Sequence, residues 1–172
     1  GVVAALAAAR LGRHVVVVAP ERRLGGMAAG GLSLTDSSHH AAVGGLAREF
    51  YRALGRGYGV EEEWKGEPAA AERVFEQWVA DAGIDVFRSQ FVQGVQLGRR
   101  REIQHLRCES GLQVRAKMFI DASYEGDLMA RAGVTHEVGR EGNARYGELL
   151  NGMQVRETHQ FERPVDPYRI AG

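Results

Sequence analysis

The 172-residue chain carries 22 Lys and Arg against 22 Asp and Glu, so its formal net charge is zero, and 44% of its residues are hydrophobic. That is enough for one compact domain with a core, and it leaves no electrostatic reason to expect nucleic acid or an anionic membrane as partner. A single cysteine, Cys108, rules out an internal disulfide, a four-cysteine zinc site and an iron–sulfur cluster held by this chain alone; it sits in an alternating segment as a small buried hydrophobe.

The first ten residues are rich in Ala, the strongest helix former, and predict a helix closed by Leu11 and Gly12. Val15, Val16, Val17 and Val18 follow at once and predict a strand buried on both faces, as in a parallel sheet, closed by Pro20. A helix, a tight turn and a buried strand make the second half of a βαβ unit whose first strand would precede residue 1. Residues 24–36 form a Gly-rich loop able to bring bare backbone close to a ligand. Helical spacing predicts helices over 42–54 (Val43, Leu46, Phe50, Leu54) and 69–82 (Val74, Phe75, Trp78, Ala82), with a polar excursion between them. Over 84–114 the period shortens to that of strands separated by turns, and Arg99, Arg100 and Arg101 form a solvated turn. Residues 117–121 predict a second buried strand ending in Asp121, and a short helix follows at 128–132. From Glu141 the periodicity fades. No apolar run approaches the ~20 residues a membrane helix needs, and cytoplasmic is the default compartment.

Three segments carry nucleotide-site chemistry. Gly1 opens the first helix, where the last glycine of a dinucleotide fingerprint allows close helix–strand packing and the helix N-terminus faces a pyrophosphate. The fingerprint then expects a ribose-binding acid about 20 residues on. Ala19 stands there, and Glu21 is either its substitute or an exposed turn residue. Gly25 and Gly26 present bare backbone to a diphosphate, or make a flexible turn. In the third segment an apolar run delivers a small-residue turn and then Asp127, which reaches a ribityl chain or phosphate with Gly126 making room, caps a helix, or does both. Adjacent His39 and His40 make a poor metal site, and a polar helix entry suits them better.

The stretches Ala-Ala-Ala-Arg-Leu-Gly (7–12), Leu-Gly-Gly-Met (24–27), Gly-Gly-Leu-Ala-Arg-Glu-Phe-Tyr (44–51) and, most specifically, Ile-Asp-Ala-Ser-Tyr-Glu-Gly-Asp-Leu-Met-Ala-Arg-Ala-Gly-Val (120–134) resemble the FAD-dependent oxidoreductase family, as do Gly-Arg-Glu at 139–141 and Tyr-Gly-Glu at 146–148. The relatives include xanthan-lyase-like proteins and the flavoprotein part of heterodisulfide reductase. The resemblance implies an α/β class, a Rossmann-like FAD-binding fold with a parallel sheet, flanking helices and a β-meander crossover, incomplete at its N-terminus. Its domains would be 1–140 for FAD, with a helical excursion at 55–83 and the meander region at 84–116, and 141–172 as the start of a substrate or cap domain. It also implies that Gly1, Gly25, Gly26, Met27, Ala122, Gly126 and Asp127 line FAD, and that the partner is a small-molecule substrate. Iron–sulfur clusters occur in some relatives, but one cysteine does not support one here. No cysteine lies in 27–36, which argues against disulfide reduction. Two other readings stay open: an NAD(P)-dependent dehydrogenase, with Arg22 and Arg23 meeting a 2′-phosphate, and a catalytically inactive truncated flavoprotein. The catalytic residues and the oligomeric state are not legible.

Overall fold

The structure, a computed structural model, describes residues 1–32, 34–37, 39–152 and 163. It divides into two compact units, Gly1–Val134 and Thr135–Gly172.

In the first unit the Ala-rich opening forms α1 (Val2–Arg10) and ends at Leu11. The valines follow as β1 (Val16–Val18), which pairs in parallel with β2 (Asp85–Phe87), Val17 opposite Val86. Between these strands run α2 (Gly26–Gly30), a 3-10 turn (His40–Ala42), α3 (Gly45–Tyr58) and α4 (Pro68–Asp81). A three-stranded antiparallel sheet comes next, β3 (Val92–Leu97), β4 (Ile103–Cys108) and β5 (Gln113–Val114), in sequential order. The unit closes with α5 (Asp127–Arg131).

The core is where helical spacing and β-branching agree. Phe50 and Leu54, four residues apart on α3, and Ala71, Phe75 and Val79, at the same interval on α4, are buried together with Val2, Ala5 and Leu6 of α1. Phe50 and Phe75 stack with centroids 4.6 Å apart and planes at 9°. Val17 and Val86 pack against this cluster from the sheet, and Val15 from the residue just before β1. Cys108 is fully buried on β4, and burial pushes its thiol pKa up.

Several expectations are corrected. The valine strand is half-buried rather than enclosed on both faces: its sheet has two strands, and only the face carrying Val15 and Val17 meets the core. Residues 117–121 form no strand, and Met118 and Ile120 are 81% and 66% exposed. A strand needs a neighbour for its N–H and C=O groups, and among the described residues none pairs with this stretch. The loop at 24–36 contains a helix, α2, which packs on α4 and buries Ala29. Residues 84–87 also differ in role, giving a parallel partner for β1 while the antiparallel sheet starts at Val92.

In the second unit, Arg145 of a 3-10 turn (Asn143–Arg145) pairs with Glu137 at 3.1 Å and lies over the Tyr146 ring. The Gly152 N–H donates to Glu141 O at 2.8 Å, and the Asn151 amide donates to the Glu141 and Glu148 carboxylates. Most of the expected domain start at 141–172 lies outside the described residues. Among the described residues no helix is long and apolar enough to cross a membrane.

Candidate functional site

Gly1, Gly25 and Gly126 are the N-caps of α1, α2 and α5 in the first unit. A Cβ added to Gly1, the N-cap of α1, would stand 3.9 Å from Ala122 Cβ, so the start of α1 lies against the turn that follows residue 121. The first N–H groups of an α-helix have no partner within it, and the start of α1 borders this corner. The same turn reaches α2: a Cβ on Gly26 would meet the Tyr124 hydroxyl at 2.8 Å. Gly1, Gly26, Ala122 and Tyr124 thus come from three distant parts of the chain to one place. Met27, next along, is 60% exposed.

The two glycines of the Gly25–Gly26 pair do different work. Gly25 has φ of +109° and caps α2 in the left-handed region that favours glycine. A Cβ there would come within 2.8 Å of Phe75 Cε2 and 2.9 Å of Ala29 Cβ. Its bareness therefore has a packing reason, the seating of α2 on α4. Gly26, with φ of +56°, also lies in the left-handed region but faces outward, and what stands beside it is the tip of the Tyr124 side chain, which is 67% exposed. Gly30 and Gly31 have open space where a Cβ would be.

The turn after residue 121 is ordered by an acid that the sequence pattern does not single out. Asp121 Oδ1 accepts from the Ser123 hydroxyl at 2.7 Å and the Ser123 N–H at 3.0 Å, and Oδ2 accepts from the Met129 N–H at 2.9 Å. Partial burial pushes its pKa up, but the hydrogen bonds from the Ser123 hydroxyl and from the Met129, Ser123 and Leu128 amides outweigh this. They hold the carboxyl below its usual range. The Ser123 hydroxyl in turn accepts from the Gly126 N–H at 3.0 Å. Asp121 therefore supplies the capping carboxylate of α5, with Gly126 at the N-cap position.

The capping alternative for Asp127 is accordingly corrected: no side chain caps from the N-cap position, and Asp127 sits one residue inside, paired with Arg131 at 3.0 Å one turn on. Arg131 also donates to Gln93 O at 3.1 Å, tying α5 to β3. Met129 Cε lies 3.0 Å from where a Gly126 Cβ would be. Asp127 would meet a ligand only by sharing or leaving Arg131.

Glu21 and Arg22 are exposed on the bend between β1 and α2, and among the described residues no hydrogen bond or ion pair holds either. Arg23 pairs with Glu72 at 3.6 Å. Ala19 is buried, its backbone bonded to Phe87 O and the Gln90 N–H. The position where the fingerprint expects a ribose-binding acid thus presents no carboxylate.

A second feature has no signal along the chain. His40 stacks on Trp64 at 3.9 Å and 3°, and Trp64 on Tyr51 at 3.8 Å and 23°. The Thr35 hydroxyl donates to the Tyr51 oxygen at 3.2 Å, and the Thr35 N–H donates to Trp64 O at 3.1 Å. These contacts clamp the segment that leaves α2 onto α3. No periodicity joins residues 35, 40, 51 and 64, so no sequence pattern announces them.

No curated protein and no solved structure matches the chain. The sequence profile described as FAD dependent oxidoreductase matches residues 1–169, nearly the whole length and all the elements that meet around Gly1, Gly26 and Ala122. By that match the protein is an oxidoreductase enzyme that uses FAD, and the chain belongs to the FAD dependent oxidoreductase family.

Proposed function

We propose that Gly1, Gly26, Met27, Ala122 and Gly126 line the FAD site in a Rossmann-like arrangement, and that the enzyme oxidises or reduces a small-molecule substrate. The observation that carries this reading is the convergence of the α1 N-terminus, the bare backbone of Gly26 and the turn at 122–124. A diphosphate is favoured at a helix N-terminus by the unpaired N–H groups and the helix dipole, and close approach needs residues without bulky side chains. The corner has both.

The chain's own residues divide the work. The α1 amides supply positive potential. Asp121, through Ser123 and the α5 amides, fixes the turn that carries Ala122 and Gly126. The Tyr124 hydroxyl stands beside exposed Gly26, where it would border a diphosphate lying against that backbone. Gly25 serves by seating α2 on Phe75, so that Gly26 faces the corner. Glu21, on the exposed bend beyond the buried Ala19, is the nearest acid along the chain for the ribose hydroxyls. Bound FAD supplies hydride and electron transfer, which the protein directs by position and electrostatics. Residues 1–140 would then form the cofactor part, and 141–172 would begin the part that meets substrate; the separate compact unit starting at Thr135 supports this division.

The test is cofactor release. The full-length protein, purified and denatured, should release a chromophore with the absorbance and retention of FAD. A colourless protein that also fails to bind added FAD would refute the assignment.

A further inference from the structure

A groove of about 250 Å³ runs between α3 and α4, on a face that the cofactor reading does not use. Small residues make it: Ala53 and Gly57 on α3 face Ala70 on α4 and leave a trough. Its apolar wall is Val74 and Trp78, one turn apart. The Trp78 ring is held edge-on by Phe50 and Phe75, 6.3 Å away in each case, at 80° and 86°. The wall is therefore fixed in place by the core.

The charges around the groove are uneven. Arg48 and Arg52 on α3 pair with Glu62, and on α4 Glu72 pairs with Arg23 and Glu76 with Arg88. Arg56 and Arg73 both line the groove, one from each helix, and among the described residues neither has a carboxylate partner. Two unneutralised guanidinium groups beside a half-buried indole call for an anion on an apolar body. A guanidinium matches a carboxylate or phosphate through paired N–H donors. The volume falls below the roughly 300–1,000 Å³ of drug-sized sites, which limits the body to about one ring.

We propose that this groove binds a small aromatic anion, a single ring bearing a carboxylate or phosphate, with the ring against Trp78 and the anionic group held by Arg56 and Arg73. The site does not rest on the FAD assignment and can be tested without it.

The chain has two tryptophans, so Trp64→Phe leaves Trp78 as the sole indole reporter. Phenylacetate and phenyl phosphate are titrated into this variant of the full chain while its emission is followed. The same ligands are titrated into the unsubstituted protein by saturation-transfer NMR, which keeps the test independent of the variant's folding. At least one of the two anions should bind saturably, and the arm that saturates identifies the anionic group. Arg56→Gln and Arg73→Gln, both at exposed positions, should each weaken it about tenfold or more, the loss expected for a charged hydrogen bond. Benzyl alcohol should bind correspondingly less well. Absence of saturable binding by either anion, unchanged affinity in both arginine variants, or saturation only by an acidic helical peptide would overturn the proposal.

Discussion

The α1–α3–α4 core and the turn at 121–126 are ordered by different physics. The core is apolar: Phe50, Leu54, Phe75 and Val79 are removed from water, and each is placed by a side chain one turn away on the same helix. The turn is exposed almost throughout, and hydrogen bonds converging on Asp121 and Ser123 hold it. Hydrophobic burial has no preferred direction and tolerates small shifts, whereas a hydrogen-bonded turn fixes backbone groups one at a time. The molecule therefore has a robust scaffold and a geometrically exacting corner set on it.

The contrast can be broken first on the core side. Phe75→Ala removes a ring stacked on Phe50 and should cost about 3–5 kcal/mol, read as a lower urea midpoint. A loss under about 1 kcal/mol would show that the two rings are not the scaffold's centre.

Gly25→Ala comes next. It forces a side chain into φ of +109° and against Phe75 and Ala29, and should cost about 1–3 kcal/mol. Part of that cost is the collision with Phe75, so the double variant with Phe75→Ala should be more stable than the sum of the two losses predicts. Strict additivity would mean that the glycine is required by backbone conformation alone.

Asp121→Asn sharpens the other side. Loss of the α5 cap should cost about 1 kcal/mol. The sign with pH follows from a folded pKa held below its unfolded value: the contribution is fully present above the usual carboxylate range and is lost as pH falls through the folded pKa. The gap between the two proteins should therefore close in acid. A gap that stays constant down to low pH would place the carboxylate's role elsewhere.

The smallest effect belongs to the surface. Arg10 and Glu49 form a two-pronged ion pair at 3.0 and 2.7 Å, but both are about half exposed. Solvent and salt screen such pairs, and Arg10→Gln should leave the unfolding midpoint unchanged within error.

What the sequence discloses follows the same division. The helices around Phe50 and Phe75 are legible because burial imposes a period of about four residues on the chain, and the antiparallel strands between Val92 and Val114 because exposure alternates there. The Gly25–Gly26 pair is legible as special, but not that Gly25 serves Phe75, a contact fifty residues away. Asp121 reads along the chain as the end of an apolar run. Its acceptor role depends on the chain folding back to Met129, which no local pattern encodes. Residues 117–121 mislead because an apolar run states only that burial is favourable; a strand forms only where a neighbour offers hydrogen bonds. The groove at Trp78 is hidden inside a helix that the spacing does disclose, since Val74 and Trp78 share its apolar pattern with Phe75 and pack against the core while also lining the trough.

The central claim is that a diphosphate-linked cofactor lies against the backbone of Gly26 in the corner formed with Gly1 and Ala122. FAD titration of the full-length protein beside its Gly26→Ala variant tests it most directly, with far-UV circular dichroism to confirm that both are folded. Stoichiometric binding by the unsubstituted protein and markedly weaker binding by the folded variant is the predicted result. A folded Gly26→Ala protein that takes up FAD with undiminished affinity would contradict the claim and move the cofactor away from α2.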